Sequence, residues 1–211
     1  MIRAKKLGRP DEALRFYREA EAAFRALYGS AELLAALNAQ TDAGSPPAEE
    51  WANHNIANVF MGRGLVYQRQ GDFAAMRHEA QASIAMRQDN LQRNPSNAIW
   101  RQSLMFDNNY LSLALLQLNQ PVAAFAAAQQ AWDAVHQRLS EEGSTPLWTT
   151  TRRNFAPQYA QALLANGRPR EAIEVLELSL EFWRGEAGAE AARKVAQLQA
   201  HLDAARVALV A

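Results

Sequence analysis

Cysteine is absent from the 211 residues. That excludes disulfides, thiolate metal sites and cysteine nucleophiles. Lysine is scarce: Lys5, Lys6 and Lys194 are the three present, so arginine carries nearly all the positive charge. Neither sign of charge is in excess, with 22 basic and 22 acidic residues. A dedicated nucleic-acid binder usually shows a strong basic surplus, so no nucleic-acid partner is expected. Long apolar runs are lacking too, so no transmembrane helix is expected. The opening MIRAKKLGRPDE has basic residues but no apolar segment behind them, which excludes a secretory signal at that point. A cytoplasmic location is the expectation. Apolar–polar alternation never runs beyond four or five residues, so strands are not expected either.

What the chain does have is repetition. Four segments align: LGRPDEALRFYREA from Leu7, QGDFAAMRHEAQAS from Gln70, LNQPVAAFAAAQQA from Leu118 and NGRPREAIEVLELS from Asn166. Anchored on Gly8, Gly71, Asn119 and Gly167, they stand 63, 48 and 48 residues apart. The period is therefore 48, with an insertion near QTDAGSPPAEE after the first unit. Trp51, Trp100 and Trp148 recur 19 or 20 residues before their anchors, each just after a turn signal. Each unit reads turn, helix, turn, helix.

The turn residues carry a mechanism. Gly8, Gly71 and Gly167 sit where a helix ends in a left-handed residue, and Asn119 is the usual substitute for glycine there. Pro10, Pro121 and Pro169 then suit the first position of the next helix, where a missing N–H costs nothing. Asp72 suits the N-cap in their place. In the other turn, Pro95 stops one helix and Ser96 or Asn97 caps the next; Thr145 before Pro146 does the same later. Apolar spacing within the segments is helical: Ala13, Phe16 or Tyr17, Ala20 and Phe24 in the first, Ala172, Leu176, Ser179 and Leu180 in the last.

These residues resemble the tetratricopeptide repeat family. Gly8, Ala13, Tyr17 and Ala20 match its pattern in the first unit, and Gly167, Ala172, Leu176 and Ser179 in the fourth. Gly64, Tyr67 and Ser83 match in the second; Ala124 and Ala131 match in the third, where Ala128 replaces a bulky residue. The period departs from the family's usual 34 or so, which calls for helices of roughly 18 to 22 residues. The segment NPSNAIWRQSL is also similar to repeat arrays attached to some bacterial serine/threonine kinases. No kinase motif is present. The resemblance implies an all-α fold, a right-handed α-solenoid of about four antiparallel hairpins. The hairpins fall at about 1–39, 47–93, 97–140 and 145–184, with a capping helix over 187–209, all in one domain, 1–211. The first unit is short of its leading helix, so a fragment of a longer chain is expected. In the last helix Ala191, Val195, Leu198, Leu202, Ala205 and Leu209 form one apolar stripe, as a cap needs.

Catalytic chemistry is not expected. His54, His78, His136 and His201 are far apart in sequence, and HEAQA lacks the second histidine of a metal signature. They read as surface or groove residues, with no metal and no cofactor. Glu49–Glu50 and Glu141–Glu142 read as solvated turn charge, and Glu171, Glu174 and Glu177 as a solvated face. The recurring tryptophans read as packing, as do Trp132, Trp183, Met61, Met76, Met86 and Met105.

By the resemblance, the first helix of each hairpin (48–69, 98–118 and 147–165) lines a concave face. Groove positions then fall at Asn58, Met61 and Leu65, at Phe106, Asn109 and Leu113, and at Asn154 and Gln161. An asparagine amide both donates and accepts, which suits the backbone of an extended peptide; a solvated polar face would look the same. The arginines here, Arg63, Arg69, Arg101, Arg152 and Arg153, do not follow the pattern by which some relatives clamp a terminal carboxylate. The functional expectation is a non-catalytic protein- or peptide-binding module, regulatory or scaffolding, within a larger bacterial protein such as a signalling kinase. The rival is a small-molecule or signal-peptide sensor controlling an attached effector.

Overall fold

The computed structural model describes residues 9–41 and 45–210, so Gly8 and the centre of the first insertion lie outside them. Among the described residues there are nine helices and no strand. They are α1 (Pro10–Tyr28), α2 (Ala31–Asn38), α3 (Ala48–Gln70), α4 (Phe73–Arg93) and α5 (Ala98–Gln117). Then come α6 (Pro121–Glu142), α7 (Pro146–Ala165), α8 (Pro169–Arg184) and α9 (Ala189–Val210).

The hairpin turns follow the sequence reading. Gly71, Asn119 and Gly167 have φ of 75°, 54° and 68°, the left-handed region that only glycine and asparagine enter cheaply. Helices α1, α6 and α8 begin on Pro10, Pro121 and Pro169. Asp72 accepts from the Ala75 amide at 3.0 Å. Of the two candidates after Pro95, Asn97 is the cap: its Oδ1 accepts from the amides of Ile99 and Trp100 at 3.0 and 3.1 Å. Thr145 Oγ1 accepts from the Trp148 amide at 3.4 Å. The short α2 is separated from α1 by Gly29 and capped by Ser30, whose Oγ accepts from Leu33. Of the residues that match the repeat pattern, Ala13, Tyr17, Gly64, Ser83, Ala124, Ala131, Ala172, Leu176 and Ser179 are buried, and Ala20 and Tyr67 are half-buried.

The chain groups into two compact units, Met1–Asp107 and Asn108–Ala211, the boundary falling inside α5. In the first, α3 and α4 form a hairpin and α1 packs on α3 through Leu14, Tyr17, Val59 and Val66. The Tyr17 ring lies so close to Gly62 that a Cβ there would stand 2.3 Å from it. Glycine is what lets the two helices approach. Arg63 then ties three helices together: it donates to Glu21 of α1 at 2.5 Å and to Glu79 of α4 at 2.8 and 3.0 Å, and it stacks on Phe60. Burial would push the Glu21 carboxyl up, but the hydrogen bonds from Arg25 and Arg63 outweigh it and hold Glu21 below its usual range.

In the second unit α7, α8 and α9 share a core of Leu163, Leu176, Leu180, Trp183, Leu198 and Leu202. Each buried leucine is worth ~2 kcal/mol relative to exposure. The stripe of α9 packs as a cap except at its end, where Leu209 is exposed. Pro157 stands inside α7. It has no N–H, so the Arg153 carbonyl loses its helical donor. Ser179 of α8 replaces that donor: its hydroxyl reaches the Arg153 oxygen at 3.3 Å. Among the described residues no helix is long and apolar enough to cross a membrane.

Candidate functional site

The eight groove positions fall into two groups, one per unit. In the first unit Asn58, Met61 and Leu65 lie on α3 and Phe106 on α5. Met61 is 8% exposed and packed; Asn58, Leu65 and Phe106 are half-buried. Asn58 is already engaged, since its Oδ1 accepts from Arg87 Nη2 at 2.8 Å. In the second unit α5 and α7 meet through Gln158, which donates to Ser112 Oγ at 3.3 Å. Asn109 and Leu113 flank Ser112 on α5, and Asn154 and Gln161 flank Gln158 on α7. Gln161 shares a 3.1 Å contact with His201 Nε2. Asn109 is half-buried, Asn154 is exposed, and neither has a hydrogen-bond partner among the described residues. Two amides on neighbouring helices are thus left to bond something else.

A buried polar cluster in the first unit was not read from the sequence. Arg87 of α4, 2% exposed, stands at its centre. Its Nε donates to Asp107, its Nη1 to His54 Nδ1 at 2.9 Å and its Nη2 to Asn58. Ser83 Oγ lies 2.6 Å from Asp107 Oδ2 and 3.0 Å from the Ala57 carbonyl. A guanidinium can only donate, so His54 accepts at Nδ1 and is the neutral tautomer protonated at Nε2. Burial, and then the charge of Arg87, drop His54 from 6.5 to about 4. Burial also raises the Asp107 carboxyl, against the opposing pull of Arg87. His54, Trp51 and Trp100 form a ring triangle, with His54 at 5.5 and 4.4 Å from the two indoles and these 5.1 Å from each other. Glu50 takes the Trp100 indole N–H at 3.2 Å.

Two sequence expectations are corrected here. His54 is not a surface or groove residue, being 8% exposed, and Glu50 is not solvated turn charge, being 5% exposed. Both are held by partners 30 or more residues away, which no local pattern shows. His78 and His136 are exposed, and Glu141 and Glu142 are exposed around Arg138. The tryptophans pack as expected: Trp100, Trp148, Trp132 and Trp183 are buried.

The second unit also holds a recess that the sequence reading missed. Its floor is the face of α7 carrying Arg152, Arg153 and Ala156, with Trp132 of α6 on one side and Leu178 and Phe182 of α8 on the other. At 100° per residue this face of α7 points away from Asn154 and Gln161. Arg153 lies 3.9 Å over the Phe182 ring and 4.1 Å over Trp183, with Glu186 at 3.6 Å. Arg152 is half-buried and has no ion pair or hydrogen bond among the described residues.

Among the described residues the chain is all-α, built of consecutive helical hairpins. No family model matches it, and no curated protein does. Two crystal structures are similar: the nearly identical TPR-like repeats of a Podosopora anserina protein described as a kinesin light chain, and a single-substitution variant of it. Each is 18% identical; the first covers 95% of this chain and 92% of its own with a TM-score of 0.43, the second 95% and 91% with 0.44.

Proposed function

We propose that residues 1–211 work as one repeat domain that binds another protein or an extended peptide and catalyses no reaction. The observation that carries this is the pair of unengaged amides, Asn109 and Asn154, beside the Ser112–Gln158 contact of α5 and α7. A peptide backbone offers each of them a donor and an acceptor. The groups with catalytic potential point elsewhere: His54, Asp107 and Ser83 are closed off at 8%, 2% and 0% exposure, Ser83 bonded to Asp107, and His54 and Asp107 each bonded to Arg87. The balanced charge favours protein over nucleic acid as the partner. The likeness of NPSNAIWRQSL to kinase-linked arrays supports a regulatory or scaffolding role in a larger, cytoplasmic bacterial protein.

The sensor alternative would use a cleft of about 380 Å³ between α8 and α9. Its walls are already paired, Arg206 with Glu177 and Arg184 with Gln199, so a ligand would have to displace them. The test of the peptide reading is Asn109→Ala. It should weaken partner binding with the melting temperature nearly unchanged; a large loss of stability would place Asn109 in the core instead.

A further inference from the structure

We propose that the recess between α6, α7 and α8 is a second binding subsite, for a carboxylate of an acidic peptide segment flanked by an apolar residue. It goes beyond the amide row, which lies on the other side of α7. Three observations converge. The first is charge: Arg152 and Arg153 are adjacent, and Glu186 at 3.6 Å from Arg153 is the one carboxylate paired with either among the described residues. Arg152 is a half-buried cation with no counter-ion. Its charge reaches His136, exposed at its edge with its ring against Trp132: that partial burial lowers its pKa first and Arg152 lowers it further, with Asp133 opposing. A partly desolvated guanidinium without a partner favours an anion, and its planar fork matches a carboxylate.

The second is size. The recess is small, about 30 Å³, and half open to solvent. A drug-sized ligand needs roughly ten times as much. The third is the rim. Leu178 and Phe182 are 45% and 39% exposed, two large apolar side chains one turn apart on one helix face. A peptide that seats its carboxylate on Arg152 would cover both with the next apolar side chain. Phe182 is held for this by the Arg153 guanidinium stacked on its ring. Arg153 in turn keeps its own carbonyl paired through Ser179 despite Pro157. Asp133, next to Trp132, makes no ion pair with Arg152 and leaves it open.

The test uses a fluorescein-labelled hexapeptide of alternating glutamate and leucine, its glutamine–leucine counterpart, and fluorescence anisotropy on the whole chain. The acidic peptide should bind at least about tenfold more tightly than the neutral one, and Arg152→Gln should erase that preference. Arg193→Gln, an exposed arginine of α9 outside the recess, should leave it intact. Equal binding of both peptides, no binding of either, or a preference unchanged in Arg152→Gln overturns the inference. Binding lost in Asn154→Ala but kept in Arg152→Gln overturns it too, and leaves the amide row standing. Circular dichroism checks that the variants melt with the wild type. Should Arg152→Gln melt early, salt decides: wild-type affinity for the acidic peptide alone must fall steeply between about 50 and 300 mM.

Discussion

Lowering the pH should unload stability through His54 in particular. Its Nδ1 faces a guanidinium that can only donate, so protonation sets N–H against N–H beside a buried positive charge. The folded-state pKa of about 4 lies below the ordinary 6.5. Between those values the unfolded chain binds the extra proton and the folded chain does not, so stability falls as pH falls through that window. The whole loss, complete near the lower value, is ~3 kcal/mol at 1.36 kcal/mol per unit. At about pH 5 most of it, ~2 kcal/mol, is already gone relative to neutral pH. His54→Gln keeps an acceptor for Arg87 and cannot be protonated. Urea unfolding of both proteins at neutral pH and at about pH 5 should show the wild type losing ~2 kcal/mol more than the variant. Tryptophan fluorescence suits the assay, because Trp51 and Trp100 adjoin the imidazole. His136 and His201 are also lowered by burial and push the same way, but they are common to both proteins and cancel in the difference. Parallel losses in the two proteins would refute the buried, neutral assignment.

Three other perturbations follow from single contacts. Gly62→Ala drives a methyl into the Tyr17 ring, so it should destabilise by ~1–3 kcal/mol despite alanine's better helix propensity, and Tyr17→Leu should rescue it in thermal melts. Ser179→Ala strands the Arg153 carbonyl and should cost ~1–2 kcal/mol; adding Pro157→Ala, which restores an amide donor, should recover part of it in a double-mutant cycle. Gly167→Ala forces a side chain into φ of 68° and should cost ~1–2 kcal/mol, whereas Asn119→Gly at φ 54° should be neutral or stabilising by chemical denaturation.

Turn chemistry is local, and so the helix order was legible from the sequence. A left-handed residue followed two positions later by proline has one physical use, and Asn119–Pro121 and Gly167–Pro169 each mark a helix end and the next start. The tryptophans at helix starts were legible through their spacing. The polar cluster was not. Helix α3 is buried on most of its circumference, with Glu50, Asn53 and His54 inside beside Ile56 and Val59. A helix enclosed on several sides loses the polar–apolar contrast that periodicity relies on. Its polar side chains survive burial through partners on α4 and α5, such as Asn90, Arg87 and Trp100, and pairing across 30 to 50 residues leaves no sequence signature. The recess escaped for the same reason. Arg152 and Arg153 read as ordinary surface charge until Trp132, Leu178 and Phe182 are brought around them from two other helices.

The central claim, a partner-binding surface at the amide row, is tested most directly by capture from lysate with the wild-type chain beside an Asn109→Ala/Asn154→Ala double variant, read by mass spectrometry. A protein should be retained by the wild type and lost by the variant, with both melting alike. Equal retention by two equally stable proteins would contradict it.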